Sequence, residues 1–231
     1  MKSEVGSRPP LVAAAFASGG GTNVQALLDY QDNLCPWRLA LLVTDRENAG
    51  VLERAHIAGI DTAVMPVQER PTSDVARDTL CVLEAHGVEG IFLAGYLRLI
   101  PSEIVHRYRR RILNIHPALL PAFGGKGMYG MRVHQAVVDA GISMTGVTVH
   151  YVDEEYDCGT IITQWQVPVR PEDSAEDVAA RVLKVEHRLY PLAAEHVCSA
   201  LIDGREPGPL DLPELLSTTT TDLEHIEQES G

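Results

Sequence analysis

Asn114 and His116 stand two residues apart in the run ILNIHPALLP, residues 112–121. Alternation along a strand sends positions i and i+2 to one face, so the amide and the imidazole point the same way. An amide donates and accepts hydrogen bonds, and an imidazole exchanges protons near neutral pH, so the pair suits binding and proton-transfer chemistry on a polar ligand. Pro117 has no backbone donor and restrains its predecessor, which ends the strand near His116. Open α/β sheets hold ligands at the carboxyl ends of their strands. An interior His and Asn satisfied by backbone groups fits the same spacing.

A second candidate is SGGGTN, residues 18–23, between the apolar run LVAAAFA and the helix-like VQALLDY. Strand, glycine-rich turn and helix start bring bare N–H groups together at a helix N-terminus, an arrangement that binds anions. Gly20 and Gly21 permit close approach, while Thr22 and Asn23 are able to cap the helix or bind an oxygen directly. A dinucleotide fingerprint requires a third glycine that is missing here, although Asp45 after the second strand keeps that reading open. A single phosphomonoester fits better, and a plain tight turn is the alternative. The acids Asp153, Glu154, Glu155 and Asp157 crowd a third segment, and by spacing alone such a turn is usually only solvated. His134, His150 and His187 have no metal-ligand spacing, so no metal is expected.

The elements needed to position these groups alternate. Buried-type runs at 11–17, 38–45, 61–67 and 90–96 are separated by helical patterns at about 49–58, 73–86 and 102–108, with Ser73 as a cap. That rhythm predicts a doubly wound, mostly parallel α/β sheet with helices on both faces. Runs at 145–152 and 160–169 with a short turn between them read as a hairpin, so the sheet becomes mixed. The glycine-rich 122–130 stretch reads as a mobile loop beside the strand ends. A helix over 131–140 follows, then a long one over 174–200, capped by Ser174 and Asp177 and interrupted near Pro191. Residues 1–10 read as a flexible lead-in, 11–208 as one domain, and 209–231 as an acidic, largely disordered tail with one weak helical turn at 222–228.

The chain has 231 residues and a formal net charge of −13, which argues against general nucleic-acid binding. No apolar run reaches the roughly 20 residues of a membrane span. Cys35, Cys81, Cys158 and Cys198 are scattered without a CxxC pair, which suits reduced thiols in a cytoplasm.

Taken in order, SGGGTN, AGYLRLI, LNIHPALLP, TGVTVHYVDEEYDCG and VEHRLYP resemble the glycinamide ribonucleotide formyltransferases of purine synthesis, over about residues 11–208. The resemblance implies a Rossmann-like formyltransferase fold and formyl transfer from 10-formyltetrahydrofolate to the amine of phosphoribosylglycinamide, by a monomer or homodimer without metal. It makes Asn114, His116 and Asp157 catalytic. Asn114 then stabilises a tetrahedral oxyanion. His116 supplies a proton or a positive charge, and Asp157 orients the imidazole and favours its charged form. The resemblance assigns Gly20, Gly21, Thr22 and Asn23 to phosphate and Glu186 to the glycinamide end. It assigns Leu97, Arg98, Leu99 and Ile100, with Asn114, Asp153, Glu154 and Asp157, to the folate. Thr148 supports the site, and Arg70 is an imperfectly aligned candidate for the folate tail. Cys158 stands where the family commonly has glycine, and Leu183 and Lys184 replace polar residues, which puts the ribose contacts in doubt. Formyltransferases acting on methionyl-tRNA or sugar nucleotides, and a formyltetrahydrofolate hydrolase, would share Asn-x-His and Asp. The tRNA enzyme is expected to add a basic C-terminal domain, and the hydrolase an N-terminal regulatory one. A non-catalytic nucleotide-binding module would leave Asn114, His116 and Asp157 without a joint role.

Overall fold

The computed structural model describes residues 9–31 and 35–211; residues 1–8 of the expected 1–10 lead-in and the part of the expected tail beyond 211, including its helical turn, lie outside them. Strands β1 (Leu11–Phe16), β2 (Trp37–Thr44), β3 (Asp61–Val64), β4 (Gly90–Leu93) and β5 (Ile112–His116) pair in parallel. β6 (Met144–Tyr151) and β7 (Ile161–Pro168) add antiparallel, giving one seven-stranded sheet in the order β3-β2-β1-β4-β5-β6-β7. The sheet is therefore mixed, as the hairpin pattern predicts. The order reverses at β1, so β1 and β4 flank a topological switch point.

Period-two alternation divides the core between two layers. Ala13, Ala15, Phe92, Leu113 and Ile115 pack under α1 (Thr22–Tyr30), α2 (Val51–Ala58), α5 (Met131–Asp139) and α6 (Ala175–Ile202). Ala14, Phe16, Ile91 and Ile112 pack under α3 (Thr72–Ala85) and α4 (Ser102–Arg107). A register shift opposite Ala13 and Ala14 lets Leu39 and Leu42 serve the first layer and Leu41 and Val43 the second.

Two helix expectations change. α3 begins at Thr72 with Pro71 in the cap position, so Ser73 lies inside the first turn and does not cap it. α6 runs without interruption through Pro191. A proline ring removes one intrahelical donor, but here Pro191 is itself buried among Leu189, Tyr190, Ala193 and Ala194, and that packing outweighs the lost bond. The N-terminus of α6 carries the full reciprocal capping box between Ser174 and Asp177.

Candidate active site

A cavity of about 740 Å³ opens at the carboxyl ends of β1, β4 and β5. Gly19, Gly20, Gly21, Thr22 and Asn23 border it after β1, Leu97, Arg98, Leu99 and Ile100 after β4, and Asn114 and His116 on β5. Asp157 enters from the loop between β6 and β7, and Glu186 from α6.

Asn114 and His116 share a face of β5 because they are two residues apart, and β6 supplies their cross-strand partners. Asn114 pairs with His150, and His116 with Thr148. Asn114 Nδ2 donates to His150 Nε2 at 3.0 Å and to Asp157 Oδ1 at 3.4 Å. His150 Nδ1 lies 2.7 Å from the Tyr151 carbonyl, which assigns the ring proton to Nδ1 and leaves Nε2 as acceptor. His150 enters the sequence reading only as a possible metal ligand, and its place opposite Asn114 emerges from the β5–β6 register.

His116 Nδ1 lies 3.6 Å from Asp157 Oδ2, while Nε2 lies 2.8 Å from the Phe123 carbonyl. Both ring nitrogens face oxygens, an arrangement only the imidazolium satisfies in full. Burial opposes that charge and holds the His116 pKa below its usual value, against the raising effects of Asp157 and the Phe123 carbonyl. The expectation that Asp157 favours the charged form is right in sign, but burial wins in the free protein. Asp157 is pushed up by its own burial; the His116 charge and the Gly125 N–H, which donates to Oδ2 at 2.9 Å, bring it below the usual carboxylate range. Its backbone is left-handed, with φ 56°, a conformation aspartate tolerates better than most residues.

Thr148 fastens the chain beyond His116. Its hydroxyl donates to the Ala118 carbonyl at 2.6 Å and accepts from Leu120 N at 3.0 Å and Gln164 Nε2 at 2.9 Å.

At the glycine turn, Gly21 is left-handed, with φ 75°, and takes the cap position of α1, so Thr22 and Asn23 begin the helix and do not cap it. A Cβ at Gly21 would sit 2.3 Å from Val51 Cγ2, which excludes any side chain there. Asn23 Nδ2 donates to Glu186 Oε2 at 3.3 Å, and its buried Oδ1 has no protein partner among the described residues. Glu186 is only 8% exposed, although it is a charged residue on a helix. Burial raises its pKa to about 7, with the Asn23 amide pulling the other way.

Arg98 Nε donates to the buried Asp45 carboxylate at 2.8 Å, which explains Asp45 without a dinucleotide ribose. Asp153 and Glu154 do not face the main cavity. They border a separate depression near His106 and Arg109, and Glu154 Oε1 lies 2.8 Å from His106 Nε2, while Glu155 and Tyr156 line the cavity instead. Arg70 borders an adjoining hollow that shares Arg98, Leu99 and Ile100 with the cavity, where it bonds the Asp78 carboxylate. His134 on α5 also lines the cavity, buried and with a depressed pKa caused first by burial and then by His116; no motif in the sequence singles it out.

Residues 12–194 match the formyl transferase family. Phosphoribosylglycinamide formyltransferase of Arabidopsis thaliana, described as chloroplastic, is 44% identical over 84% of this chain and 68% of its own length. The enzyme of the same name from Bacillus subtilis is 38% identical over 77% of this chain and 90% of its own. The crystal structure of glycinamide ribonucleotide transformylase 1 from Symbiobacterium toebii superposes with a TM-score of 0.78 at 37% identity, covering 87% of this chain and 95% of that one.

Proposed function

The chain belongs to the formyl transferase family, and on that premise we infer that it formylates phosphoribosylglycinamide with 10-formyltetrahydrofolate as donor in purine synthesis. The observation that carries the reading is the meeting of Asn114, His116 and Asp157 in one cavity with the Gly20–Asn23 turn and Glu186. The substrate amine attacks the formyl carbon and the carbonyl oxygen becomes an oxyanion; the attacking nitrogen then gives up a proton, and the bond to the folate nitrogen breaks as that nitrogen takes one and the carbonyl re-forms.

Each step has a group suited to it. Asn114 already uses both amide hydrogens, and its longer bond, to Asp157, is the one an oxyanion displaces. His116 becomes positive as the oxyanion forms, because the new negative charge and Asp157 together offset the burial that keeps it neutral beforehand. His150 fixes the Asn114 amide, and Gly125 fixes Asp157. The turn at Gly20, Gly21, Thr22 and Asn23 suits the phosphate, and the Asn23–Glu186 pair suits the glycinamide end, where Asn23 Oδ1 lacks a donor. Leu97 to Ile100 would border the pterin, and Arg70 would lie toward the folate tail through the adjoining hollow. For Asp153 and Glu154 a folate role would run through their backbone, since their side chains border another depression.

We propose a single folded unit over 11–208, a cytoplasmic setting and a monomer or homodimer. Four free cysteines support the cytoplasmic setting. The deciding experiment incubates the pure protein with both compounds and follows formylated product and tetrahydrofolate together. Equal, acceptor-dependent appearance of both is expected; folate turnover without acceptor would replace the transferase by a hydrolase.

A further inference from the structure

We propose that Arg54, which lies outside the cavity, is the positioning residue of the anion-binding turn, holding the Gly20–Gly21 peptide so that its N–H faces the substrate phosphate. The proposal rests on the functional reading above and extends it to a residue behind the site.

Helix α2 ties each of the three glycines from the rear. Val51 N–H donates to the Gly19 carbonyl at 3.0 Å, and Arg54 Nε donates to the Gly20 carbonyl at 2.7 Å. The Val51 side chain occupies the space a Gly21 Cβ would need. A trans peptide is planar, so its C=O and N–H point in opposite directions. The Gly19 carbonyl shares a peptide with the Gly20 N–H, and the Gly20 carbonyl shares one with the Gly21 N–H. Holding both carbonyls toward α2 therefore turns both N–H groups the other way, and Gly20 and Gly21 are cavity-lining residues.

Glycine has the least intrinsic preference for any one conformation, so this orientation needs an external constraint. A flipped peptide would present its carbonyl oxygen to the phosphate and repel it. Arg54 prevents this with a charge-assisted bond, which also polarises the peptide and makes its N–H a better donor. The guanidinium is itself held. Its Nη1 donates to Gln25 Oε1 at 3.0 Å, and Gln25 Nε2 donates to Asp29 Oδ1 at 2.8 Å, one turn along α1. Arg54 borders a shallow groove with Thr22, Gln25, Asp29, Tyr30 and His187, on the other side of the turn from the site.

The test compares Arg54→Met, Arg54→Lys and Gln25→Leu in the full chain, with steady-state kinetics for each substrate and inorganic phosphate as a competitive inhibitor. Arg54→Met is expected to raise the KM for phosphoribosylglycinamide and the phosphate Ki in parallel, on the order of 10- to 100-fold for loss of a charge-assisted bond. The KM for 10-formyltetrahydrofolate stays near wild type. Arg54→Lys recovers most of the affinity, and Gln25→Leu shifts the same two constants by less. Unchanged phosphate affinity in the Arg54 variants overturns the brace while leaving the functional reading intact, as does an equal rise in both KM values with a fall in unfolding midpoint. If Arg54→Met does not fold, the lysine and Gln25 variants give the same comparison. A wild-type protein that neither formylates phosphoribosylglycinamide nor is inhibited by phosphate overturns the reading on which the brace depends.

Discussion

Burial pushes the Asp157 carboxyl up, yet the charge available at His116 and the Gly125 N–H hold it below the usual carboxylate range. Replacing it with asparagine preserves the shape but removes the charge that supports an imidazolium at His116. Asp157→Asn is expected to lower kcat by about 10²-fold or more. Its unfolding free energy should move by only about 1 kcal/mol, because the amide keeps one acceptor for Gly125 or Asn114. Single-turnover rates measured beside denaturant unfolding check the contrast, and wild-type turnover would end the assignment. Glu186 presents the opposite electrostatic case. Its carboxyl is pushed up to about 7 from 4.5, so the folded state holds a proton that the unfolded chain has released. Between those values stability falls as pH rises, and the penalty is complete above pH 7. Glu186→Gln should therefore leave stability little changed below about pH 4.5 and raise it by roughly 2–4 kcal/mol at pH 8. Urea unfolding of the free protein at pH 5 and pH 8 reads the difference; a variant less stable than wild type at pH 8 would contradict the cause given for the shift. Activity should fall in the same variant, since the ionised carboxylate is the form suited to the glycinamide amine and amide groups.

At the scale of elements, the acidic loop depends on how closely it returns to β6. A Cβ added to Gly159 would meet the Tyr151 carbonyl oxygen at 1.7 Å, a backbone atom that has no way to turn aside. Gly159→Ala must move either the β6 end or the loop that carries Asp157. We expect a loss of about 2 kcal/mol or more in stability and a fall in kcat larger than that seen for folate KM. A well-folded, fully active Gly159→Ala would show that the loop position is not critical. The same hairpin shows where sequence legibility ends. Asn114 and His116 were readable as a pair because strand period and Pro117 act within a few residues of the chain. Their partners were not, because whether Thr148 and His150 stand opposite them is a question of register between strands 30 residues and more apart. Asp157 was legible only through family resemblance, since a solvated acidic turn has the same local pattern. Ser73 and Pro191 misled because local propensity favours a cap and a break: α3 starts one residue before Ser73, after Pro71, and at Pro191 burial on α6 keeps the helix whole.

For the molecule as a whole, the turn, the catalytic candidates and the folate-side segment gather at the carboxyl ends of β1, β5 and β4; the parallel rhythm of the sequence was enough to expect ligands at strand ends, while the strand order that makes a switch point of β1 and β4 was not legible in it. The end of the folded unit is set by contacts that no composition shift reveals. Glu206 bonds Arg110, the Gly208 carbonyl lies 2.9 Å from His196 Nε2, and Leu210 N donates to the Ile162 carbonyl at 2.8 Å. These contacts tie the chain to the turn before β5, to α6 and to β7, up to and just past the proposed boundary at 208. Residues 212–231 carry five acids and no lysine or arginine within a chain of net charge −13. Both proposed substrates are anionic, so acids in this segment repel them, an effect screened beyond about 8 Å at physiological ionic strength. Lys126, Arg132 and Arg98 at the cavity provide the opposite, local field. Truncation after Asp211 should leave the unfolding midpoint and kcat unchanged. At low salt it should raise kcat/KM modestly, and the gain should vanish as ionic strength approaches about 0.15 M. Truncation after Gly204 removes the Glu206, Gly208 and Leu210 contacts and should lower the midpoint by several degrees, about 1–2 kcal/mol for the lost bonds. Equal stability of the two truncations would place the boundary of the unit before Glu206, and a lower midpoint for the longer one would give the acidic segment a structural role.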